Sequence, residues 1–316
     1  MPHGSSSHYL TKKKTVGCSW TYTIKLKADG SIEIYKARLV AKGYTQRYGV
    51  DYQATFALTA KINTIKILLS VAANQDWPLH QFDVKNVFLH GDLEEELYID
   101  LPPRYNLAHD KKNQVCKLRK SLYGLKKSLM PWFGRFTKSM KNFRYTQSNL
   151  GHTLFLKRNG GKINVLIVFV DDMVITGNDT LEKQKLQKYL SHEFEMKDLG
   201  TLKYFLIIEV AKSKTGIVLS QRKYVMDLLT ETGMLGCKPA DTPIEMNHKL
   251  CEDMDRLPTN KKQYQCLVRM LIYLAHTRPY IAYVMSMVSQ FMHSPNVYHR
   301  NAVDQILRYL NSALAK

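Results

Sequence analysis

Apolar positions along the chain follow two periods. From Cys18 to Val40 they alternate with polar ones: Trp20, Tyr22, Ile24 and Leu26 precede Ala28-Asp29-Gly30-Ser31, and Ile32, Ile34 and Ala37–Ala41 follow it. Alternation on both sides of a Gly-containing turn predicts a hairpin, with lysines on its outer face. Ile62, Ile65, Leu68, Leu69 and Ala72 then recur every three or four positions, which predicts a helix ended by Asn74-Gln75-Asp76. Leu79–Leu89 returns to strand texture and carries Asp83. Pro102-Pro103 opens a loop to Asn113, and Pro131 opens a helix with Trp132, Phe133, Phe136 and Met140 on one side.

The stretch Ile163–Gly177 is mostly apolar and carries Asp171-Asp172 at its middle. Its β-branched runs are too short for ordinary helices, so it reads as two strands with the acidic pair at or beside their turn. An amphipathic helix follows, with Leu186, Tyr189, Leu190 and Phe194 inside. Thr201–Val210 and Gly216–Leu219 read as two more strands. After Ser220 the texture changes. Ser220 is placed to cap a helix through Leu229 that Gly233 ends, Asp241–Asn260 is a polar connection, and three helical stretches follow near 261–276, 279–292 and 299–313. The class is α+β first and nearly all-α after. The expected parts are a flexible basic tail (1–17), an α+β part (18–212) and a mostly helical part (213–316).

Charge narrows the partner. Lys+Arg number 46 against 27 Asp+Glu, a formal charge of +19 over 316 residues, which favours a polyanion, nucleic acid above all. Five scattered cysteines form no CxxC and no zinc spacing, and read as reduced thiols in an intracellular protein. The first residues hold no apolar signal segment and no apolar run reaches membrane-spanning length, so no membrane partner is expected.

Two adjacent carboxylates framed by apolar strands are costly unless something neutralises them, and hard divalent cations choose carboxylate oxygens. A solvated hairpin turn accounts for Asp171-Asp172 equally well on that stretch alone. Asp83, in a strand about ninety residues earlier, adds a third acid and suggests a two-metal site on neighbouring strands.

At this point the sequence resembles the reverse transcriptases of Ty1/copia-type retrotransposons. The matching segments are Tyr35-Lys-Ala-Arg-Leu-Val-Ala-Lys-Gly-Tyr-Thr-Gln46, Asp83-Val-Lys-Asn86 with Phe88-Leu-His-Gly91, Ser121-Leu-Tyr-Gly-Leu-Lys126, Val170-Asp171-Asp172, Lys197-Asp-Leu-Gly200 and Thr277-Arg-Pro279. They stand in the family's order, and the resemblance covers roughly residues 18 to 312. The resemblance implies a right-hand polymerase fold, with fingers, an antiparallel palm sheet and a mostly helical thumb. It implies RNA-directed DNA polymerase activity with two Mg²⁺ (or Mn²⁺), dNTP and an RNA or DNA primer-template, in the cytoplasm or nucleus.

It also implies roles. Asp83, Asp171 and Asp172 match the catalytic metal ligands. Lys36, Arg38 and Lys42 match the segment that meets the incoming triphosphate. Phe88 matches a bulky side chain beside the sugar, or is a core Phe. Tyr123, Gly124 and Ser128 match the template-positioning segment, and Phe205, Leu206 and Ile207 the hairpin that grips the primer. Lys197 is a candidate proton donor to pyrophosphate, or a surface lysine at a helix end. Arg269 stands on the first thumb helix. Departures from the family pattern are Lys127-Ser128-Leu129, Phe169, Ile207 and Arg269 (both glycine in the family) and Tyr280. They fit drift in a weak or inactive relic that still binds nucleic acid. The family's RNase H, protease and integrase regions lie outside this sequence, as expected of a piece of a polyprotein.

Overall fold

Alternation becomes strand and the 3.6-residue stripes become helices in the computed structural model, which describes residues 4–8, 15–27, 29–52, 61–105, 114–149, 151–213, 216–245, 250–251 and 257–314. Most of the expected basic tail, residues 106–113 of the loop after Pro103, and residues 246–249 and 252–256 of the polar connection lie outside these. The chain divides into two compact units, Met1–Thr201 and Leu202–Lys316. The division falls before the Tyr204–Ser220 strands, which go with the helices, where the sequence pattern suggests a boundary near 212.

In the first unit, β1 (Gly4–His8), β2 (Cys18–Leu26) and β3 (Ile32–Ala41) lead to α1 (Ile62–Asn74). Then come β4 (His80–Val84), β5 (Tyr98–Asp100), β6 (Gln114–Leu118), α2 (Leu129–Asn142), β7 (Thr146–Ser148), β8 (Gly151–Asn159), β9 (Lys162–Phe169), β10 (Asp172–Gly177), α3 (Thr180–Glu193) and β11 (Met196–Thr201). Gly4–His8, expected within a loose tail, pairs with β6 instead. The strand expected over Leu79–Leu89 stops at Val84, and Val87–His90 is a 3-10 turn.

The centre of this unit is an antiparallel sheet ordered β11-β4-β10-β9-β8-β7. Strand parity gives it two unlike faces. Phe82, Met173, Ile175, Leu166 and Val168 pack with Trp132, Phe136 and Met140 of α2 and Leu186 and Leu190 of α3 in one buried core. Each such side chain contributes roughly 1.5–3 kcal/mol by leaving water, so this face makes a rigid base. The intervening residues, Asp83 and Asp172 among them, belong to the other face.

The second unit opens with a small sheet of β12 (Tyr204–Phe205), β13 (Ile208–Ser213) and β14 (Gly216–Ser220). Among the described residues four α-helices follow: α4 (Arg222–Glu231), α5 (Lys261–Ala275), α6 (Ala282–Gln290) and α7 (Val297–Ser312). Their apolar stripes meet in one core that includes Val225, Leu229, Tyr264, Val268, Leu271, Val303 and Ile306. The N-cap of α4 is Gln221 and not the expected Ser220, which lies one residue before it; the Ser220 hydroxyl accepts from Arg222 N at 3.1 Å. Asn260 and Asn296 cap α5 and α7 through side-chain oxygens.

Candidate active site

The site begins with a turn that the sequence makes under strain. Phe169 pairs with Asp172, so β9 and β10 are joined by Val170-Asp171 alone. Val170 has φ +56°, a left-handed conformation that costs a β-branched residue roughly 1–2 kcal/mol. Two hydrogen bonds hold the turn. Trp132 Nε1 donates to Val170 O at 3.1 Å, and Val84 N donates to Asp171 O at 2.8 Å. The buried α2 and the neighbouring β4 thereby fix the acidic pair.

Register then assembles a row across the sheet. Asp172 in β10 stands opposite Asp83 in β4, and Asp83 stands opposite Lys197 in β11. Residues directly opposite in antiparallel strands share a face, so Lys197, Asp83 and Asp172 form one line. Lys197 is therefore a strand residue next to the acids and not the helix-end lysine of the alternative reading. Burial pushes the Asp172 carboxyl up to about 6; a hydrogen bond from Gln81 Nε2 to its Oδ1 (3.1 Å) opposes this, and Asp171 and Asp83 add to it. Burial also raises Asp171, with Asp83 adding to the rise and Arg38 and Lys36 opposing it.

The β2–β3 ribbon supplies the positive wall. Thr21, Thr23 and Lys25 stand opposite Arg38, Lys36 and Ile34. Burial, Arg38 and Lys25 push the Lys36 ammonium down, while Asp83 and Asp171 pull it up. The ribbon's basic face is thus within electrostatic reach of the acids. Sequence reasoning missed Lys25, although its parity with Lys36 and Arg38 across the hairpin was available. It also missed Gln81, whose role needs the strand register. Lys42 departs from the expected trio: it follows the end of β3, lies against Gly17 beside Asp100, and its charge acts on Cys18.

Arg38 lies 5.5 Å from the Tyr123 ring centroid, and its Nε is buried with no hydrogen-bond partner among the described residues. Tyr123 meets Phe88 edge-on at 4.4 Å. Phe88 also packs partly against the main core, so both readings of it keep support. Glycines make this junction possible. Gly124 has φ +88°, and a Cβ there would lie 2.2 Å from Ala41 O; a Cβ on Gly43 would lie 2.0 Å from Gly124 O. The close approach is sealed by Ala41 N to Tyr123 O (2.7 Å) and Lys126 N to Gln46 Oε1 (2.9 Å). Two of the matched segments are therefore one contact. Ser128 is buried, and its carbonyl accepts from the Ser121 hydroxyl at 2.8 Å.

In the second unit, Leu206 (φ +50°) and Ile207 (φ +62°) form the two-residue turn between β12 and β13. Phe205 is buried in the fold. The Tyr273 hydroxyl of α5 donates to Leu206 O. Arg269 is exposed, one helical turn before Tyr273 on the same face of α5.

Three acids, two of them driven toward protonation by burial and mutual repulsion, suit a divalent cation as counter-charge. Among the described residues no three His, Cys, Asp or Glu side chains are already gathered as a ligand set, so the acids form a shared field and not a closed cage. Among the described residues no helix is long and apolar enough to cross a membrane.

Residues 8–246 match the sequence-family model described as reverse transcriptase (RNA-dependent DNA polymerase). The chain is 43% identical over 295 residues to the retrovirus-related Pol polyprotein from transposon RE1 of Arabidopsis thaliana, covering 93% of this chain and 20% of that protein. It is 38% identical over 308 residues to the Pol polyprotein from transposon TNT 1-94 of Nicotiana tabacum, covering 94% and 23%. The chain thus spans about a fifth of the length of these curated relatives. A solved foamy viral protease-reverse transcriptase in complex with RNA/DNA hybrid aligns with 95% of this chain and 33% of that one, at 13% identity and a TM-score of 0.41.

Proposed function

The chain belongs to the reverse transcriptase family of copia-type transposon polyproteins, and from that premise we propose that it adds deoxynucleotides to a primer on an RNA or DNA template by two-metal phosphoryl transfer. The observation that carries the reading is the row Lys197–Asp83–Asp172 with Asp171 at the strained turn. Two Mg²⁺ ions (or Mn²⁺) held by Asp83, Asp171 and Asp172 would activate the primer hydroxyl and neutralise charge on the phosphates.

The chain's own residues do the rest. Lys25, Lys36 and Arg38 bind the triphosphate, the guanidinium fork of Arg38 matching phosphate oxygens. The Tyr123–Phe88 pair walls the sugar side and crowds a 2′-hydroxyl. Lys197 Nζ holds a proton for the departing pyrophosphate. In right-hand vocabulary the six-stranded sheet is the palm, the β2–β3 ribbon belongs to the fingers, and the second unit is the thumb. The Leu206-Ile207 turn and the Arg269 face of α5 hold the duplex.

Extension of a primed homopolymer with Mg²⁺ or Mn²⁺ tests this. Asp171→Asn should abolish extension and leave primer-template binding within about twofold of the unaltered chain. Loss of binding, or persistence of extension, would overturn the assignment. A second reading, a chain that binds nucleic acid but extends poorly, is favoured by one observation: Ile207 occupies a left-handed turn position that suits glycine.

A further inference from the structure

We infer that Gln81 is a positioning residue of the acidic site: its side-chain amide holds one oxygen of Asp172 and so turns the other toward the divalent cation. The inference rests on the two-metal reading above. Gln81 and Asp83 are two apart in β4 and share a face, and the strand partner of Gln81 is Val174, two residues past Asp172. Gln81 is therefore diagonal to Asp172, a separation that only a long side chain spans. It does so, with Nε2 to Oδ1 at 3.1 Å. An Asn or Ser at this position would fall short.

The residue type fits the task. Gln81 is 6% exposed, and its neighbours on that face, Val174 and Ile167, are buried. A polar side chain in such surroundings stabilises nothing unless its hydrogen bonds are made. A lysine there would neutralise Asp172 and compete with a cation. A glutamate would add a fourth negative charge. A neutral amide donor fixes one oxygen, leaves the carboxylate charge intact and narrows the broad carboxylate torsion. Repulsion from Asp83 and Asp171 would otherwise turn the Asp172 carboxylate away.

The test uses the full chain without substrate. Mn²⁺ binding is measured by isothermal titration calorimetry on the unaltered protein and on Gln81→Met, which keeps length and burial but removes the donor. Loss of an outer partner of a metal ligand typically weakens metal binding 10–100-fold, so Gln81→Met should raise the Mn²⁺ dissociation constant about tenfold or more. Primer-template affinity, read by fluorescence anisotropy, should stay within about twofold. The Mg²⁺ concentration for half-maximal extension should rise by the same factor as the dissociation constant. A Gln81→Met protein that binds Mn²⁺ as tightly as the unaltered chain overturns the inference and leaves the two-metal reading standing. An unaltered chain that binds no Mn²⁺ overturns both.

Should Gln81→Met fail to fold, the unaltered chain decides. With ¹⁵N-labelled glutamine, the Gln81 side-chain amide should exchange slowly with solvent and shift on Mg²⁺ addition. A fast-exchanging amide indifferent to Mg²⁺ overturns the inference.

Discussion

At the scale of single residues, the acids destabilise the fold they sit in. The Asp172 carboxyl titrates near 6 when folded, above the ordinary carboxylate range, chiefly through burial. Its proton is bound more tightly in the folded than in the unfolded chain, so its contribution to stability is fully present below about pH 4 and is lost as pH rises through about 6. Because part of the carboxylate remains in water, the loss is about 1–2 kcal/mol. Without divalent cations, Asp172→Asn should therefore melt higher than the unaltered chain at pH 7 and at the same temperature at pH 4. Equal melting at both values would show that the carboxylate is not strained. The acids themselves were legible in the sequence, because an Asp pair in the middle of a mostly apolar stretch is conspicuous. Gln81 was not, since a glutamine in a strand carries no mark of its diagonal partner ninety-one positions away.

At the scale of elements, periodicity revealed the β2–β3 ribbon, α1 to α3, the β9–β10 hairpin and α4 to α7. Strands such as β7 and β11 escaped it. Thr146–Ser148 is too short for a pattern, and Met196–Thr201 is polar and half-exposed, held at the sheet edge by pairing and not by burial. Turn chemistry was legible at Ile207, where a glycine-type position carries a β-branched residue, and the φ of +62° bears that out. Ile207 is 38% exposed, so removing its side chain sacrifices little burial. Ile207→Gly should stabilise the second unit by about 1 kcal/mol, measured by denaturant titration. Arg269 is exposed on the α5 face that carries Tyr273, the residue bonded to that same turn. The double change Ile207→Gly plus Arg269→Gly should raise primer extension, and a misplacement of about 1 Å at a primer end is worth roughly a hundredfold in rate. Vigorous extension by the unaltered chain, with no gain from the reversions, would refute the relic reading.

At the scale of the whole molecule, a formal +19 does not act evenly. The run of bases from Lys117 to Lys138 is partly neutralised once folded. Lys117 pairs with Glu96, Lys120 with Asp92 and Lys127 with Glu95, all at 2.9 Å or less. The acidic stretch Asp92–Glu96 returns beside that run through the Gly91 and Ser121 backbones, which a linear reading of charge does not reveal. Arg135 donates to His90 O and lies over the Phe194 ring. Lys25, Lys36 and Arg38 are different, because their ribbon face reaches the acids through the electrostatic field and, among the described residues, makes no carboxylate bond that must break before meeting phosphate. Nucleic-acid affinity should fall steeply with salt, since each phosphate neutralised contributes about 0.9 to the logarithmic slope on a duplex. Replacing Lys25, Lys36 and Arg38 by Gln should flatten that slope by about one unit for each contact removed. Replacing Lys117, Lys120 and Lys127 by Gln should change it much less, because those ammonium groups already have carboxylate partners. The comparison is made by fluorescence anisotropy across a salt series on one primer-template. Equal flattening by both triple variants would mean that sequence density, and not the folded pairing, sets the electrostatic footprint.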